Sequence, residues 1–481
     1  MRVLLIHPEV TLTEFGFRVA AMPEPLGLEL VAAQLDGHEC RILDMRCEKD
    51  PNCLQRELAG FAPDVVGVTA LTPEVYAALD VMQDVKRFSR DIFVFVGGFH
   101  ATLMPEDFCN ENVDAVALGE AEFVIRPLID SVSAGKSLAD VPNIIWRDEN
   151  GQFTANGRSF PQFDMDTVPM PRRDLVDHYR EQYFFLFDKP DSSMATGRGC
   201  PYRCNFCSVW EFYGGRTRQM SPRRVLREIH ESVKTDHVTF VDDNFLMNHK
   251  REHEIAQRIK ADGLNMRYSM ECRTDSIAKH PELVAEWKEI GLYAVLLGLE
   301  GATDKALADV NKKNALETNN EAIRILHDNG VIIWGAFITD PSWGVEDFRA
   351  LREYVNRMEI THTQFTVLTP LPGTRLYKEK FDELLTYDYT CFDTMHAVVP
   401  TKLPREQFYE EFANLYKQRD LGPYFDLVSA GTMSIDDVKA GKRMLDALST
   451  VENYHVHDPV LGKTRGVDEA LPSIRKHLAA S

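Results

Sequence analysis

The chain has 481 residues and a formal net charge of −20, with 44% hydrophobic and 27% charged residues. This size and composition predict a globular protein of two or three domains. The negative charge argues against a nucleic-acid partner, because phosphate binding requires a basic surface.

Targeting and membrane-spanning segments are not expected. The apolar start at residues 1–6 is too short for a signal peptide, and no apolar run approaches the roughly 20 residues of a membrane-spanning helix. Nine cysteines without a secretory leader favour reduced thiols, so a cytoplasmic location is expected.

Strands and helices alternate over the first 140 residues. Apolar spacing predicts helices at 26–35 and 73–88 among strands at 3–6, 40–44, 65–70, 92–98 and 115–119. This alternation predicts an α/β domain at residues 1–140, Rossmann-like or flavodoxin-like, with a doubly wound parallel sheet. Ligands of such sheets bind beyond the carboxyl ends of the strands.

Small and polar residues occupy that edge of the predicted sheet. They are Thr69, Leu71 and Thr72 after the third strand, Gly97, Gly98 and His100 after the fourth, and Gly119, Glu120 and Glu122 after the fifth. Glycines there would let a flat ligand approach the backbone, and the missing G-x-G-x-x-G pattern disfavours a dinucleotide. The alternative is a flavodoxin-like domain whose glycines serve only turns.

Residues 141–195 are interpreted as a linker. Strands near 143–147 and 153–155 predict a hairpin with a two-residue turn at Asn150 and Gly151. Three prolines interrupt the rest of the segment, at positions 161, 169 and 171. The segment is expected to connect two domains.

Three cysteines follow in a C-x3-C-x2-C run: Cys200, Cys204 and Cys207. They would hold three irons of a [4Fe–4S] cluster and leave the fourth iron open to a small molecule, with Phe206 shielding one face. Zinc is the alternative, but it needs a fourth ligand, and the nearest histidines, His230 and His237, are distant in sequence. A disulfide is disfavoured without a secretory signal.

Beyond the cysteines, βα alternation resumes. A strand before Cys200 and strands at 237–241, 268–273, 293–300, 331–338 and 363–369 predict a partial (β/α)6 barrel at 196–380. Ser221 is the predicted N-cap of the first helix. Catalytic groups of such barrels lie at the carboxyl ends of strands, where Asp242, Asp243, Arg273 and Glu300 are candidates. Mutual pairing of these charged residues is the alternative.

The remaining residues, 381–481, are predicted to form a helical domain. It is rich in aromatic residues, namely Tyr387, Tyr389, Phe392, Phe408, Phe412, Tyr416 and Tyr424. These rings either line an apolar substrate channel or pack in a core, and core packing is favoured. Cys272 and Cys391 are interpreted as isolated buried thiols.

These motifs resemble those of cobalamin-binding radical S-adenosylmethionine (SAM) enzymes over residues 1–380. The similar segments are 25–28, 97–106, 119–122, 200–207, 241–245, 298–301 and 369–374. Within this class, the run from Cys207 to Arg216 is most similar to hopanoid C-3 methylases. Anaerobic Mg-protoporphyrin monomethyl ester cyclases are a more distant match.

The resemblance implies three cofactors: a [4Fe–4S] cluster on the cysteines, SAM at its open iron, and cobalamin, as methylcobalamin, in the first domain. Asp242 and Asp243 would grip the SAM amino group or ribose, and Arg273 its carboxylate. Glu300 would bind the ribose or orient Arg273, and the loop at 370–373 would close over the adenine. The D-x-H-x-x-G motif is missing, so His100 is expected to bond to backbone or the corrin rim rather than to cobalt.

The implied chemistry is hydrogen abstraction by a SAM-derived radical, followed by methyl transfer from cobalamin. The expected substrate is an apolar polycyclic molecule such as a hopanoid lipid, reached by peripheral membrane contact, and the expected reductant is flavodoxin or ferredoxin. One alternative is a non-methylating enzyme of the class, such as a porphyrin ring cyclase. Another is a catalytically inactive cobalamin-binding sensor.

Overall fold

The computed structural model describes residues 1–9, 21–185, 188–417, 428, 435–456, 458–462, 465 and 470–478. Two large sheets, one of seven strands and one of six, organise this part of the chain. They correspond to the two predicted α/β units, which confirms the fold class.

The N-terminal region alternates strands and helices as predicted. Its strands are β1 (Arg2–His7), β2 (Ala21–Met22), β3 (Glu39–Asp44), β4 (Val65–Thr69), β5 (Phe93–Gly97), β6 (Ala115–Ala117), β7 (Ile144–Arg147) and β8 (Phe153–Ala155). Its α-helices are α1 (Leu26–Ala33), α2 (Cys53–Phe61), α3 (Val75–Phe88), α4 (Phe99–Leu103) and α5 (Ile125–Ser133). Short 3-10 helices cover Thr72–Glu74, Pro105–Phe108 and Ala121–Phe123.

Seven of these strands form the first sheet, in the order β3-β1-β4-β5-β6-β7-β8. The first five in that order are parallel. The strand order reverses between β1 and β4, since β3 follows on one side of this pair and β5 on the other. Doubly wound sheets bind ligands at such a reversal, beyond the carboxyl ends of the strands. The apolar run Val3–Ile6 is buried throughout, as expected for a sheet covered on both faces.

The predicted linker contributes to both sheets, so the expected limits at 140 and 195 do not match the sheet edges. The β7–β8 hairpin joins the first sheet next to β6, and the segment's last strand belongs to the barrel. Its connection is a five-residue loop rather than a two-residue turn, because Arg147 pairs with Phe153. The Asp148 carboxylate accepts backbone N–H groups of Asn150 and Gln152, each at 2.9 Å, which stabilises the wider loop.

The middle region contains the predicted partial barrel. Its strands are β9 (Phe184–Phe185), β10 (Ser192–Met194), β11 (Gly197–Arg198), β12 (Arg218–Gln219), β13 (His237–Phe240), β14 (Arg267–Arg273), β15 (Leu292–Glu300), β16 (Ile332–Thr339) and β17 (His362–Val367). The six-stranded sheet has the order β10-β13-β14-β15-β16-β17, and all neighbours are parallel. Six parallel strands in sequence order confirm the expected architecture.

Helices alternate with the barrel strands. They are α6 (Val209–Phe212), α7 (Pro222–Glu231), α8 (His249–Ala261), α9 (Thr274–Lys279), α10 (Pro281–Glu289), α11 (Asp304–Asp309), α12 (Leu316–Asp328), α13 (Val345–Arg357) and α14 (Arg375–Lys380). Short 3-10 helices cover Met165–Thr167, Arg173–Gln182, Phe245–Met247, Phe381–Glu383 and Tyr389–Cys391. The predicted N-cap is present, since Ser221 Oγ accepts the Arg224 backbone N–H at 3.2 Å.

The C-terminal region is helical where it is described, with α15 (Arg405–Asn414), α16 (Ile435–Leu448), α17 (Val451–Val456) and α18 (Pro472–Leu478). Its aromatic side chains pack into the cores of the two large sheets, at Tyr387, Tyr389, Phe392, Phe408, Phe412 and Tyr416. They form a core and not a channel, while Tyr424 lies outside the described residues. No helix within the described ranges is long and apolar enough to cross a membrane.

Candidate functional site

The three cysteines of the C-x3-C-x2-C run line one cavity, called the cluster cavity here. It has a volume of about 250 Å3 and lies at the carboxyl ends of the barrel strands, where Asp243, Arg273 and Glu300 also line it. Phe206 forms another part of its wall. The structure therefore brings together most of the residues proposed for the iron and SAM sites.

A tight loop carries the cysteines from β11 to β12, which pair in antiparallel register. Gly199 precedes the first cysteine with φ at +83°, and a Cβ there would lie 2.0 Å from the Arg216 carbonyl oxygen. No other residue fits this position, because a side chain would clash with the returning strand. The Gly199 N–H donates to Asp243 Oδ2 at 2.9 Å, which ties the loop to the barrel.

The three thiols suit a multi-iron cluster, because each cysteine of such a cluster binds a different iron. All three thiols are free of disulfides. Burial raises their pKa values, that of Cys207 to about 12, so iron binding would displace protons.

Arg273, at the end of β14, presents its guanidinium to the cluster cavity in a fixed orientation. Its Nε donates to Asp275 Oδ1 at 2.8 Å and its Nη2 to the Lys312 carbonyl at 3.1 Å. The guanidinium carbon lies 3.5 Å from the centre of the Tyr202 ring. These contacts hold the planar group in a pose suited to a carboxylate, although one edge is already committed to Asp275.

Glu300 ends β15 beside Arg273 but does not orient it. Its Oε1 accepts from Lys312 Nζ at 2.5 Å, and both side chains line the cavity. Its φ is +60°, and the pairing of β15 with β16 is irregular between Gly298 and Glu300. Such strained backbone at a cavity is typical of ligand sites.

The two adjacent aspartates have different roles, which the sequence did not reveal. Asp242 turns away from the cluster cavity and accepts the N–H and hydroxyl of Thr196, each at 2.8 Å. It is therefore not placed to grip SAM, because successive residues at a strand end point to opposite sides. Asp243 lines the cluster cavity, and burial raises its pKa to about 6.

Glu271 is a cavity residue that sequence analysis missed. It lies two residues before Arg273 on β14, so its side chain points to the same face and lines the cluster cavity. Within the described ranges its carboxyl makes no hydrogen bond or ion pair that fixes it. Desolvation, and then the charges of Asp243 and Asp242, raise its pKa to about 7. The sequence did contain a signal for Glu271, because side chains two residues apart on a strand point to the same face as each other.

The loop at 370–373 does not line the cluster cavity, contrary to the expectation that it covers an adenine there. A Cβ at Gly373 would lie 2.7 Å from the side chain of Leu103, in the first domain. The following Leu376 N–H donates to the Asn205 carbonyl at 3.0 Å, within the cysteine loop. The loop therefore packs between the domains and supports the cysteine loop from outside.

A second cavity, of about 400 Å3, lies between the two domains and is called the cobalamin cavity here. It opens at the β1–β4 reversal of the first sheet, and Ala195, Gly197 and Arg198 of the barrel region close its other side. The predicted residues Thr69, Leu71, Gly97, Gly98, Gly119 and Glu120 line it. Asp243 is the residue common to the walls of both cavities.

The wall of the cobalamin cavity suits a large flat ligand. A Cβ at Gly27 or Gly119 would meet nothing within 4 Å, so both backbones face open cavity space. Leu71 is 49% exposed at the same wall, an apolar surface that a bound ligand would cover. These features fit a corrin approaching the backbone closely.

His100 and Thr72 are not in this wall, contrary to prediction. The His100 ring is fully buried behind it, with Nδ1 3.1 Å from Thr72 Oγ1 and Nε2 3.0 Å from Asp107 Oδ2. Since both ring nitrogens are engaged, His100 is available neither to cobalt nor to the corrin rim. The described residues lining the cavity include no histidine.

Glu120 lines the cobalamin cavity, but both oxygens of its carboxylate already accept hydrogen bonds from arginines. Oε1 accepts from Arg198 Nη1 at 2.7 Å and Oε2 from Arg218 Nη2 at 2.6 Å. Arg198 also contacts Glu122.

Two family models match the chain: the B12 binding domain over residues 16–128 and the Radical SAM superfamily over residues 194–355. The hopanoid C-3 methylase of Methylococcus capsulatus is 32% identical over 435 residues, covering 87% of this chain and 81% of that protein. The anaerobic magnesium-protoporphyrin IX monomethyl ester cyclase of Rubrivivax gelatinosus is 27% identical over 442 residues, covering 87% and 77%.

Solved structures share the fold. The cobalamin-dependent S-adenosylmethionine radical enzyme OxsB matches with a TM-score of 0.71 and 15% identity over 100% of this chain and 74% of its own. The radical S-adenosylmethionine methyltransferase TsrM from Kitasatospora setae matches with a TM-score of 0.62 and 20% identity, covering 79% and 75%.

The chain therefore belongs to the cobalamin-binding radical SAM family. It is a cobalamin-dependent radical SAM methyltransferase, and its cofactors are a [4Fe–4S] cluster, SAM and cobalamin. The family resemblance inferred from the sequence motifs is confirmed.

Proposed function

We propose that the chain methylates an unactivated carbon of an apolar polycyclic substrate, as its hopanoid C-3 methylase relative is named to do. The observation that carries this proposal is the meeting of the two cavities at Asp243. A substrate carbon beside Asp243 would be accessible from both cofactor sites. Such a carbon offers no acid or base handle, so radical chemistry is required.

Cys200, Cys204 and Cys207 would hold three irons of the cluster, and Phe206 would shield it. Arg273 would bind the SAM carboxylate with the donors left free by Asp275. Asp243 would accept a hydrogen bond from the amino group of SAM, and Glu300 would accept one from the SAM ribose. When bound, the cluster, SAM and cobalamin supply one-electron reduction, hydrogen abstraction and a transferable methyl group.

In the first domain, the corrin would lie against the residues that line the cobalamin cavity: Thr69, Leu71, Gly97, Gly98 and Gly119. Burial of the ligand between two domains would exclude water from the reacting carbon. Val209, Leu296 and Ala336 give the cluster cavity an apolar side, which supports an apolar substrate.

The proposed setting follows from this chemistry. A one-electron donor such as flavodoxin or ferredoxin would reduce the cluster in the cytoplasm, where such a site is kept reduced. If the substrate is a hopanoid lipid, the enzyme would reach it by peripheral contact with a membrane.

The test is an anaerobic incubation of the reduced, reconstituted enzyme with methyl-labelled SAM and a bacterial hopanoid extract. We expect label in the hopanoid fraction together with 5′-deoxyadenosine. Formation of 5′-deoxyadenosine without label in any lipid would contradict methylation of a lipid. Absence of 5′-deoxyadenosine under reduction would indicate a catalytically inactive cobalamin-binding protein.

A ring-forming reaction is the second candidate, because the chain is also 27% identical to a magnesium-protoporphyrin monomethyl ester cyclase. The same incubation with magnesium-protoporphyrin IX monomethyl ester distinguishes the two. Ring closure without methyl incorporation would favour the cyclase.

A further inference from the structure

The loop that carries the three cysteines has a narrow neck formed by β11 and β12. In this antiparallel pair Arg198 lies opposite Arg218. Arg198 precedes Cys200 by two residues, so its position sets where the cysteine run begins. Arg218 ends the same loop after α6.

One carboxylate of the first domain holds both sides of this neck. Glu120 accepts from Arg198 at 2.7 Å through one oxygen and from Arg218 at 2.6 Å through the other. Glu122 adds a second contact to Arg198. The four side chains are between 7% and 8% exposed. Ion pairs with this geometry and burial fix position strongly, because removing one partner leaves a buried charge.

The same loop contributes walls to both cavities. Its cysteines line the cluster cavity, whereas Phe212 and Tyr213 line the cobalamin cavity. Phe212 stacks on Phe99 of the first domain with ring centres 4.1 Å apart. A shift of the neck would therefore change both cavities at once.

We propose that Glu120 is a positioning residue that couples the two cofactor sites. By holding Arg198 and Arg218, it sets the cysteine loop against the cobalamin cavity, so that filling one cavity raises the affinity of the other. This inference rests on the proposed role of the cysteines as cluster ligands. It replaces the expected contact of Glu120 with the corrin, because both carboxylate oxygens are already engaged.

The experiment is a titration of the full chain with hydroxocobalamin, followed by absorbance, with and without the cluster. The cluster-free form is the variant with Cys200, Cys204 and Cys207 all changed to Ala. In the otherwise unchanged protein we expect the cluster to tighten hydroxocobalamin binding by at least about fivefold, the lower range of ordinary coupling. In Glu120→Gln the two affinities should agree within about twofold.

A second readout does not depend on affinity. Hydroxocobalamin should change the electron paramagnetic resonance spectrum of the reduced cluster in the unchanged protein and leave it unchanged in Glu120→Gln. Glu122→Gln, which removes one of the two contacts of Arg198, should show an intermediate coupling. Glu254→Gln is the matched control, since Glu254 pairs with Arg258 on the same helix and both side chains are exposed, and it should retain full coupling.

Each contrary result has a distinct meaning. Full coupling in Glu120→Gln, or equal hydroxocobalamin affinity with and without the cluster in the unchanged protein, would overturn the inference. Equal weakening of both forms by Glu120→Gln would also overturn it, because it would indicate direct contact with the corrin. Should Glu120→Gln fail to fold, Glu122→Gln decides: intermediate coupling would support the inference, and full coupling would overturn it. A chain that binds no iron would contradict the proposed function instead.

Discussion

The cluster cavity and the cobalamin cavity are built in different ways. Residues of the cluster cavity come from one barrel and its cysteine loop, and its cationic groups pair with barrel carboxylates, Lys312 with Glu300 and Arg273 with Asp275. The cobalamin cavity has walls from both domains, and glycines and apolar residues form much of its surface. The first site is thus encoded by local motifs, whereas the second depends on how two domains pack.

The largest expected effect falls on the cluster cavity alone. Changing Cys200, Cys204 or Cys207 to Ala should reduce iron content and bring 5′-deoxyadenosine formation to the uncatalysed background, because each thiol would hold its own iron. Hydroxocobalamin should still bind. Iron and sulfide analysis with product chromatography measures this.

Cys109→Ala is the control for that series, since Cys109 is free and lies outside both cavities. It should retain iron and activity. Normal iron content in all three single variants would contradict the proposed ligands.

The cobalamin cavity can be blocked separately. Gly27→Leu should weaken hydroxocobalamin binding more than about tenfold, because the new side chain projects into space that the ligand needs. Iron content should be unchanged, and the helix should not be weakened, since leucine has a higher helix propensity than glycine. Absorbance titration gives the affinity.

Gly60→Leu is a matched control, because Gly60 is also a helical glycine where an added Cβ would meet nothing within 4 Å, but it faces solvent on α2. It should bind hydroxocobalamin normally. Equal affinities of Gly27→Leu and Gly60→Leu would show that the corrin lies elsewhere.

A change at His100 is expected to affect the stability of the fold but not ligand binding at the cobalamin cavity. His100→Gln should lower the free energy of unfolding by about 2 kcal/mol, because Asp107 loses its buried partner. The absorption spectrum of bound hydroxocobalamin should not change. Urea unfolding and absorbance measure the two effects, and a shifted cobalamin spectrum would identify His100 as a cobalt ligand after all.

The difference between the cavities also explains what could be predicted from the sequence. The cysteine run, Arg273 and the alternation of strands with helices followed from local spacing and periodicity. The engagement of His100 with Asp107, and of Glu120 with two arginines, depends on long-range packing that no local pattern reports. Asp242 and Asp243 were adjacent in sequence, so only the strand-end geometry distinguishes the cavity residue from the buried one.

The smallest expected effect concerns Glu271. Its pKa of about 7 lies above the ordinary value of 4.5, so between these values the folded chain holds a proton that the unfolded chain has lost. Stability should therefore fall as the pH rises from about 4.5 to 7 and stay level above that range. Glu271→Gln removes the contribution and should raise the free energy of unfolding at pH 8 by roughly 1–2 kcal/mol.

Urea unfolding at pH 5 and pH 8 measures this difference, with Glu254→Gln as the exposed control. Glu271→Gln should gain stability mainly at pH 8, since at pH 5 the native carboxyl is already protonated. A matching gain at both pH values would indicate an effect of shape rather than charge.

Because Glu271 and Asp243 are the cavity carboxyls without a cationic side-chain partner among the described residues, a pH-dependent gain would also show that the cluster cavity carries uncompensated negative charge. Such a cavity favours a cationic ligand such as SAM, in contrast to the glycine-lined and apolar surface of the cobalamin cavity.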